Sequence, residues 1–379
     1  MDFNFSEAQQ SFKQSVARFV DKEIIPVAQA IDEQGEFPIK LFKRVGELGY
    51  LGLRYPEELG GAAADMTTFC LMTEELARGS LSLAASVAMQ CLMSTNFIYR
   101  FGTEDHKKRL LIPAIKGEKI GAFALTEPNA GSDLTAIETT AKKDGDFYIL
   151  NGQKTWTTSA TVADFFTVLA TLDKSKGIKG VDFFLVEKNT PGLIIGKKIN
   201  KMGVRASETS ELALENCRIP QENLLGESGT GFKNLMGILN QIRVMTGSLS
   251  LGLARAAYDS ALKYARERVQ FGKPIFEFQA IQHKLAEMAT GIQSAHLMVY
   301  YAAWLIDRNI PCNKEAAMTK LVASETANKV ADECTRIFAS YGFSMEYPAQ
   351  RYFRDARFLL LGGGTSEILK NIIAKEIGL

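Results

Sequence analysis

Apolar residues recur every three to four positions up to about residue 116, every second position from 121 to about 215, and every three to four again from 232 to the end. The first and last periods are those of amphipathic helices and the middle one is that of half-buried strands. Ser6-Glu-Ala-Gln9 is a capping box, and Phe12, Val16, Phe19, Val20 and Ile24 follow at helical spacing, so helix is expected almost at once, to about Ala30. Further helices are expected at Ile39–Leu48, Met66–Arg78, Leu81–Tyr99 and Glu104–Lys116, separated by Gly-rich turns and Pro113.

Strands are expected at Ala122–Thr126, Asp146–Leu150, Lys154–Thr158, Phe165–Thr171, Asp182–Glu187, Leu193–Lys198 and Glu211–Glu215. Asn151-Gly152 reads as a two-residue hairpin turn. Long helical patterns at Phe232–Arg268, Phe278–Arg308, Lys314–Tyr341 and Thr365–Ile377, with short connections, predict a bundle. The chain is thus mainly α with a central β domain: residues 1–120 all-α, 121–228 β, 229–379 helical.

Composition narrows the partners. A net charge of +1 across 379 residues gives no global field for nucleic acid or an anionic membrane, which favours a small-molecule ligand. The cysteines (Cys70, Cys91, Cys217, Cys312, Cys334) form no Cys-x-x-Cys pair and suit a reducing cytoplasm. The start of the chain lacks the basic and apolar regions of a secretory leader, and the apolar stretch Ile292–Ile306 is short for a membrane span, so no membrane insertion is expected. His106, His283 and His296 are not at metal-ligand spacing, and no metal site is expected.

Two stretches carry candidate chemistry. Gly362-Gly-Gly364 interrupts an apolar segment before Thr365, which reads as a helix N-cap; backbone N–H groups there suit an anion or a polarised carbonyl, though a plain tight loop fits the same residues. Leu125-Thr-Glu-Pro-Asn-Ala-Gly-Ser-Asp-Leu134 is either a capped turn or a close approach of backbone to a flat or phosphorylated ligand.

These stretches, together with Asn151–Thr158, Lys201-Met-Gly-Val-Arg205, Arg268-Val-Gln-Phe-Gly-Lys-Pro-Ile275 and Arg354-Asp-Ala356, resemble the acyl-CoA dehydrogenase family of flavoproteins over essentially the whole chain. The resemblance implies a helical N-terminal domain, a β-barrel-like middle domain and a C-terminal four-helix bundle, with FAD and an acyl-CoA thioester meeting between them. It also implies a homotetramer and reoxidation by electron-transfer flavoprotein. By resemblance, Thr126 and Thr158 contact the isoalloxazine, Trp156 packs on its face, and Thr365 and Glu367 face its phosphate side. Ser132, Asn240 and Arg243 fall at substrate-binding positions, and Arg268, Phe271 and Gln279 at contacts to a neighbouring subunit's FAD. Arg336-Ile-Phe-Ala-Ser-Tyr-Gly342 replaces the usual Gln-x-x-Gly-Gly-x-Gly, bringing Cβ atoms toward the ADP moiety while Arg336 offers a charge to the pyrophosphate.

The family's base is a carboxylate that takes the proton beside the thioester. Aligning Tyr-Glu-Gly-Thr with this chain puts Gly363 at the glutamate, leaving only its backbone N–H for the thioester carbonyl, and the alternative helix position is Ile242. Both places are vacant. Three readings follow from that vacancy: a non-catalytic acyl-CoA and flavin binder; a reaction needing no such base, as in 3-sulfinopropionyl-CoA desulfinases, although Leu83-Ala-Ala-Ser86 lacks their arginine; or a displaced base. The third resembles cyclohex-1-ene-1-carboxyl-CoA dehydrogenase, a 1,4-elimination with a base on the N-terminal domain, and puts Cys91 at that base. An ordinary α,β-dehydrogenase with a relocated carboxylate is the remaining alternative.

Overall fold

The computed structural model describes residues 4–379; Met1–Phe3, part of the stretch read above for a leader, lie outside the described residues. The capping box forms as expected: Ser6 Oγ accepts from Gln9 N–H at 3.2 Å, and the Gln9 side chain accepts from Ser6 N–H at 3.1 Å. It opens α1 (Glu7–Phe19). Next come α2 (Ile39–Glu47), α3 (Met66–Gly79) and α4 (Leu81–Met89), the last running through a π turn at Gln90–Ser94 into Thr95–Phe101. Leu81–Phe101, expected as a helix over Leu81–Tyr99, is long and apolar enough to cross a membrane, and most of it is buried inside the protein. It is built as a core helix.

The strands are β1 (Gly121–Ala124), β2 (Thr140–Asp144), β3 (Phe147–Thr158), β4 (Phe165–Thr171), β5 (Val181–Glu187), β6 (Leu193–Lys198), β7 (Thr209–Pro220) and β8 (Leu224–Leu225). Their order is β6-β7-β3-β2-β4-β5-β8, with β1 alongside β4 in parallel. Strand β4 is buried on both faces. Phe165 and Leu169 pack with the helices, while Phe166 and Val168 join Tyr148, Leu150 and Phe184 on the other face.

The Asn151-Gly152 hairpin is not there. β3 runs straight through it, with a register shift against β7 between Leu150 and Gly152, and the turn sits instead at Gly145 (φ +58) between β2 and β3. Tertiary contacts override the local turn signal: Asn151 Oδ1 accepts from Asn216 N–H at 2.8 Å, and a Cβ on Gly152 would lie 2.5 Å from Thr139 Oγ1.

The longer helices that complete the chain are α5 (Gly231–Glu267), α6 (Gln279–Asp307), α7 (Asn313–Phe338), α8 (Pro348–Leu361) and α9 (Ser366–Glu376), with one short turn of helix at Ser340–Phe343. Helix α5 lies tightly on α3, where a Cβ at Gly252 would come within 2.1 Å of Glu74 O and the hydroxyls of Thr73 and Ser248 meet at 2.6 Å. Helix α7 stops at Phe338, short of the expected Tyr341, because Ala339 turns to φ +54.

Candidate active site

The glycine run forms a loop between α8 and α9, with Gly363 at φ +73 and Gly364 at φ +102, conformations open to glycine and strained for other residues. Thr365 caps α9, its hydroxyl accepting from Ile368 N–H at 3.3 Å. From beneath, the fully buried Lys320 donates to Gly364 O at 2.6 Å and Leu360 O at 3.3 Å. Burial pulls that ammonium down to about 8, against the charges of Glu325 and Glu367. The N–H groups of Gly363 and Gly364 meet no acceptor among the described residues, and Gly363 is exposed.

A Cβ built on Gly363 would stand 3.0 Å from Thr246 Oγ1 and 3.8 Å from Ile242 Cγ2. The two vacant base positions therefore face each other across one wall. What occupies it is a methyl and a hydroxyl that already donates to Ile242 O at 2.8 Å.

Cys91, the position expected for a displaced base, faces the core. The residue is 2% exposed, its thiol donates to Leu51 O at 3.4 Å, and burial pushes it up to about 12. A thiol held that high carries essentially no thiolate at neutral pH. Helix periodicity located the turn but not its inward-facing side, which packs under Tyr55, whose hydroxyl donates to Cys91 O at 2.7 Å.

On the sheet side, Thr126 and Trp156 line one cavity of about 630 Å³ together with Pro128, Gly131, Ile199 and Glu211. The Leu125–Leu134 loop is anchored by a buried pair the sequence reading missed. Lys154 Nζ donates to Glu127 Oε1 at 2.7 Å and to Leu125 O at 3.2 Å, while Glu127 also accepts from the N–H groups of Glu138 and Thr139. Burial opposes ionisation of Glu127, but the Lys154 charge and these hydrogen bonds outweigh it and hold the carboxyl below its ordinary range.

Trp156 sits at φ +56 in a bulge, 58% exposed, with no ring contact among the described residues. An exposed indole beside a threonine-lined cavity is the surface a flat isoalloxazine needs, so these residues fit FAD. Thr158 lies two residues further along β3, half-buried, and Ser132 is exposed on the loop beyond Gly131; neither lines that cavity.

The remaining positions fall into separate groups. Arg243 Nη1 donates to Asn240 Oδ1 at 3.1 Å and to Asn313 Oδ1 at 2.7 Å, so the two substrate positions meet each other on α5. Arg268, Phe271 and Gln279 lie exposed around the α5–α6 turn, with Phe271 92% exposed. The Arg268 guanidinium stacks 5.7 Å from the Tyr341 ring, which joins that turn to the 336–342 segment. Arg336 Nε pairs with Asp332 Oδ2 at 2.7 Å along α7 on an exposed face. Glu367 is exposed in the first turn of α9.

Comparison with known proteins gives the family. Models described as the N-terminal, middle and C-terminal domains of acyl-CoA dehydrogenase match residues 6–118, 122–217 and 229–378. Benzylmalonyl-CoA dehydrogenase of Aromatoleum aromaticum is 52% identical over 378 residues, covering 100% of both chains. Butyryl-CoA dehydrogenase from Megasphaera elsdenii superposes with a TM-score of 0.96 at 39% identity over 100% of both chains. A chain from a structure described as the electron transferring flavoprotein of Acidaminococcus fermentans gives 0.97 at 40% identity, also over 100% of both. With all three domains present in order over nearly the whole chain, the chain belongs to the acyl-CoA dehydrogenase family, FAD-dependent oxidoreductases acting on acyl thioesters.

Proposed function

We propose that this enzyme oxidises a CoA thioester whose acyl C2 already carries a carboxylate, and that loss of this group as CO₂ replaces removal of the C2 proton. The observation that carries the reading is the wall at Gly363, where Ile242 and Thr246 stand in place of a carboxylate base. A malonyl-type thioester needs no base there. Its C2–carboxylate bond breaks, CO₂ departs, and the electron pair left on C2 is conjugated with the thioester carbonyl. That pair becomes the C2=C3 double bond as hydride leaves C3. FAD, when bound, accepts that hydride, so the products are an enoyl thioester, CO₂ and the two-electron-reduced cofactor.

The chain supplies three things to this step. The free N–H groups of Gly363 and Gly364 are donors for the thioester oxygen, where negative charge develops as CO₂ leaves. The missing side chain at 363 leaves room for the substrate's carboxylate and removes the like charge that a glutamate would set against it. The buried Ile242 keeps water from that face, which favours a departing group whose charge is being dispersed. The 52% identity to a protein named for benzylmalonyl-CoA, a thioester with its carboxylate on C2, supports the same substrate class.

Elimination from a cyclohexene thioester would need a base on the Gln90–Ser94 turn, and the buried thiol of Cys91 supplies none. Electron-transfer flavoprotein as the acceptor is supported by the similarity to a chain from the Acidaminococcus structure. A cytoplasmic homotetramer completes the reading, supported by five free cysteines and by apolar residues left outside, Phe271 and Leu361 among them.

The test is anaerobic mixing of the FAD-loaded enzyme with benzylmalonyl-CoA, following the visible flavin band and evolved CO₂. One CO₂ per flavin bleached, at least ~100-fold faster than bleaching by butyryl-CoA, is expected for a site that lacks a proton acceptor. Equally fast bleaching by butyryl-CoA, or reduction without CO₂, would overturn the proposal.

A further inference from the structure

Arg54 lies in the N-terminal helical domain, 187 residues from its side-chain partner Gln241 on α5. Its Nη1 donates to Gln241 Oε1 at 2.8 Å and to Met66 Sδ at 3.1 Å. Its Nε is buried and has no hydrogen-bond acceptor, and no acceptor is present for Nη2 among the described residues. Asp307, an acid whose charge reaches Arg54, is already engaged: its two oxygens accept from the N–H groups of Met66 and Thr67 and from the Thr67 hydroxyl. The Phe69 ring, 5.8 Å away, makes the surroundings apolar on another side.

A guanidinium does not shed its proton, so one whose Nε is buried without an acceptor is costly to keep. The unused atoms here are the Nε and Nη2 donors, which form one edge of the planar fork and match the two oxygens of a carboxylate held side-on. Gln241 fixes the opposite corner and aims that edge. Gln241 immediately precedes Ile242, the residue that faces the vacant position at Gly363. The open edge is therefore tied to the same stretch of α5 that walls the reaction centre.

We infer that Arg54 binds a carboxylate carried by the substrate's acyl group through its Nε–Nη2 edge, and so selects carboxylated thioesters over plain ones. This rests on the proposed function only in requiring that the acyl group bear a carboxylate. It does not depend on that group being lost.

The experiment measures Kd or KM of FAD-loaded wild type, Arg54→Met and Arg54→Lys for benzylmalonyl-CoA, glutaryl-CoA and 3-phenylpropanoyl-CoA, with FAD content and far-UV dichroism as folding checks. Wild type is expected to prefer a carboxylated thioester over 3-phenylpropanoyl-CoA by ~30-fold or more, the range for a buried charge-assisted pair. Arg54→Met should bring that preference to within about 3-fold while leaving 3-phenylpropanoyl-CoA binding unchanged, and Arg54→Lys should recover part of it, as a point charge without the fork.

Equal weakening of all three ligands in Arg54→Met, or a preference that survives the substitution, would overturn the inference. An Arg54-dependent preference for glutaryl-CoA, whose carboxylate lies at the far end, would uphold Arg54 and overturn the C2-carboxylate reading. Benzylmalonyl-CoA turnover with CO₂ release but no dependence on Arg54 would do the reverse.

Discussion

Gly363 shows how much one missing side chain decides. Any residue placed there meets φ +73 and a Thr246 hydroxyl at 3.0 Å, so Gly363→Glu is expected to lose ~1–3 kcal/mol of stability, partly recovered by adding Thr246→Ala. Its carboxylate would nonetheless point at the carbon beside the thioester. We therefore expect the variant to bleach its flavin with butyryl-CoA and to lose at least ~10-fold in rate with benzylmalonyl-CoA, through repulsion between two carboxylates. Stopped-flow flavin reduction and thermal melts measure both; a variant still inert to butyryl-CoA would mean that position 363 does not face C2. The triple glycine could be read in the sequence, but what it faces could not, because Ile242 and Thr246 arrive from another helix. Arg54 was invisible for the same reason, since nothing local marks an arginine whose partner is distant in the chain.

At the scale of an element, the end of α7 explains the departure at 336–342. Ala339 falls at a glycine of the Gln-x-x-Gly-Gly-x-Gly pattern that the segment resembles, and its backbone holds a conformation suited to glycine at φ +54 and ψ −130. Gly342 is retained where it cannot be replaced: a Cβ there would lie 2.2 Å from Thr335 O. Ala339→Gly should therefore stabilise the protein by roughly 1–2 kcal/mol, read as a higher urea midpoint at constant slope. No change, or a loss, would mean that the strain is already relieved by the turn's other contacts. The helices, caps and most strands were legible because their signals are local. The Asn151-Gly152 turn failed because its preference was outweighed by pairing of β3 with both β2 and β7.

At the scale of the whole molecule, two stretches that carried the family resemblance act as a tie between domains. A Cβ at Gly203 would lie 2.3 Å from Arg354 O, Asp355 accepts from Val204 N–H at 2.6 Å, and Arg354 reaches both Met202 O at 2.9 Å and Asp32. Lys201–Arg205 and Arg354–Ala356 thus bind sheet, bundle and N-terminal helices together. Burial pushes Asp355 up to about 6, helped by the Asp32 charge and opposed by the Val204 N–H, Arg351 and Arg354. Because its folded value lies above the unfolded 3.8, the folded state holds the extra proton and stability from this group falls as pH rises from about 4 to 6. Asp355→Asn removes that dependence, so its stability relative to wild type should climb across the same window, by ~3 kcal/mol at most. Denaturant midpoints of both proteins from about pH 4 to 7 measure it, and a difference that stays flat between about pH 4 and 6 would refute it.

By itself the sequence determined the order of helix, sheet and bundle, the caps at Ser6 and Thr365, and the absence of a carboxylate at 363 and 242. Each depends on periods or side-chain bonds that span a few residues, or on identity at an aligned position. Only the tertiary structure decided that Cys91 turns into the core, that 242 and 363 share a wall, and that Arg54, held by Gln241 on the same helix as Ile242, keeps an unmatched Nε. Those facts belong to packing between segments far apart in the chain, where the direction of a side chain is set by what the rest of the fold places opposite it.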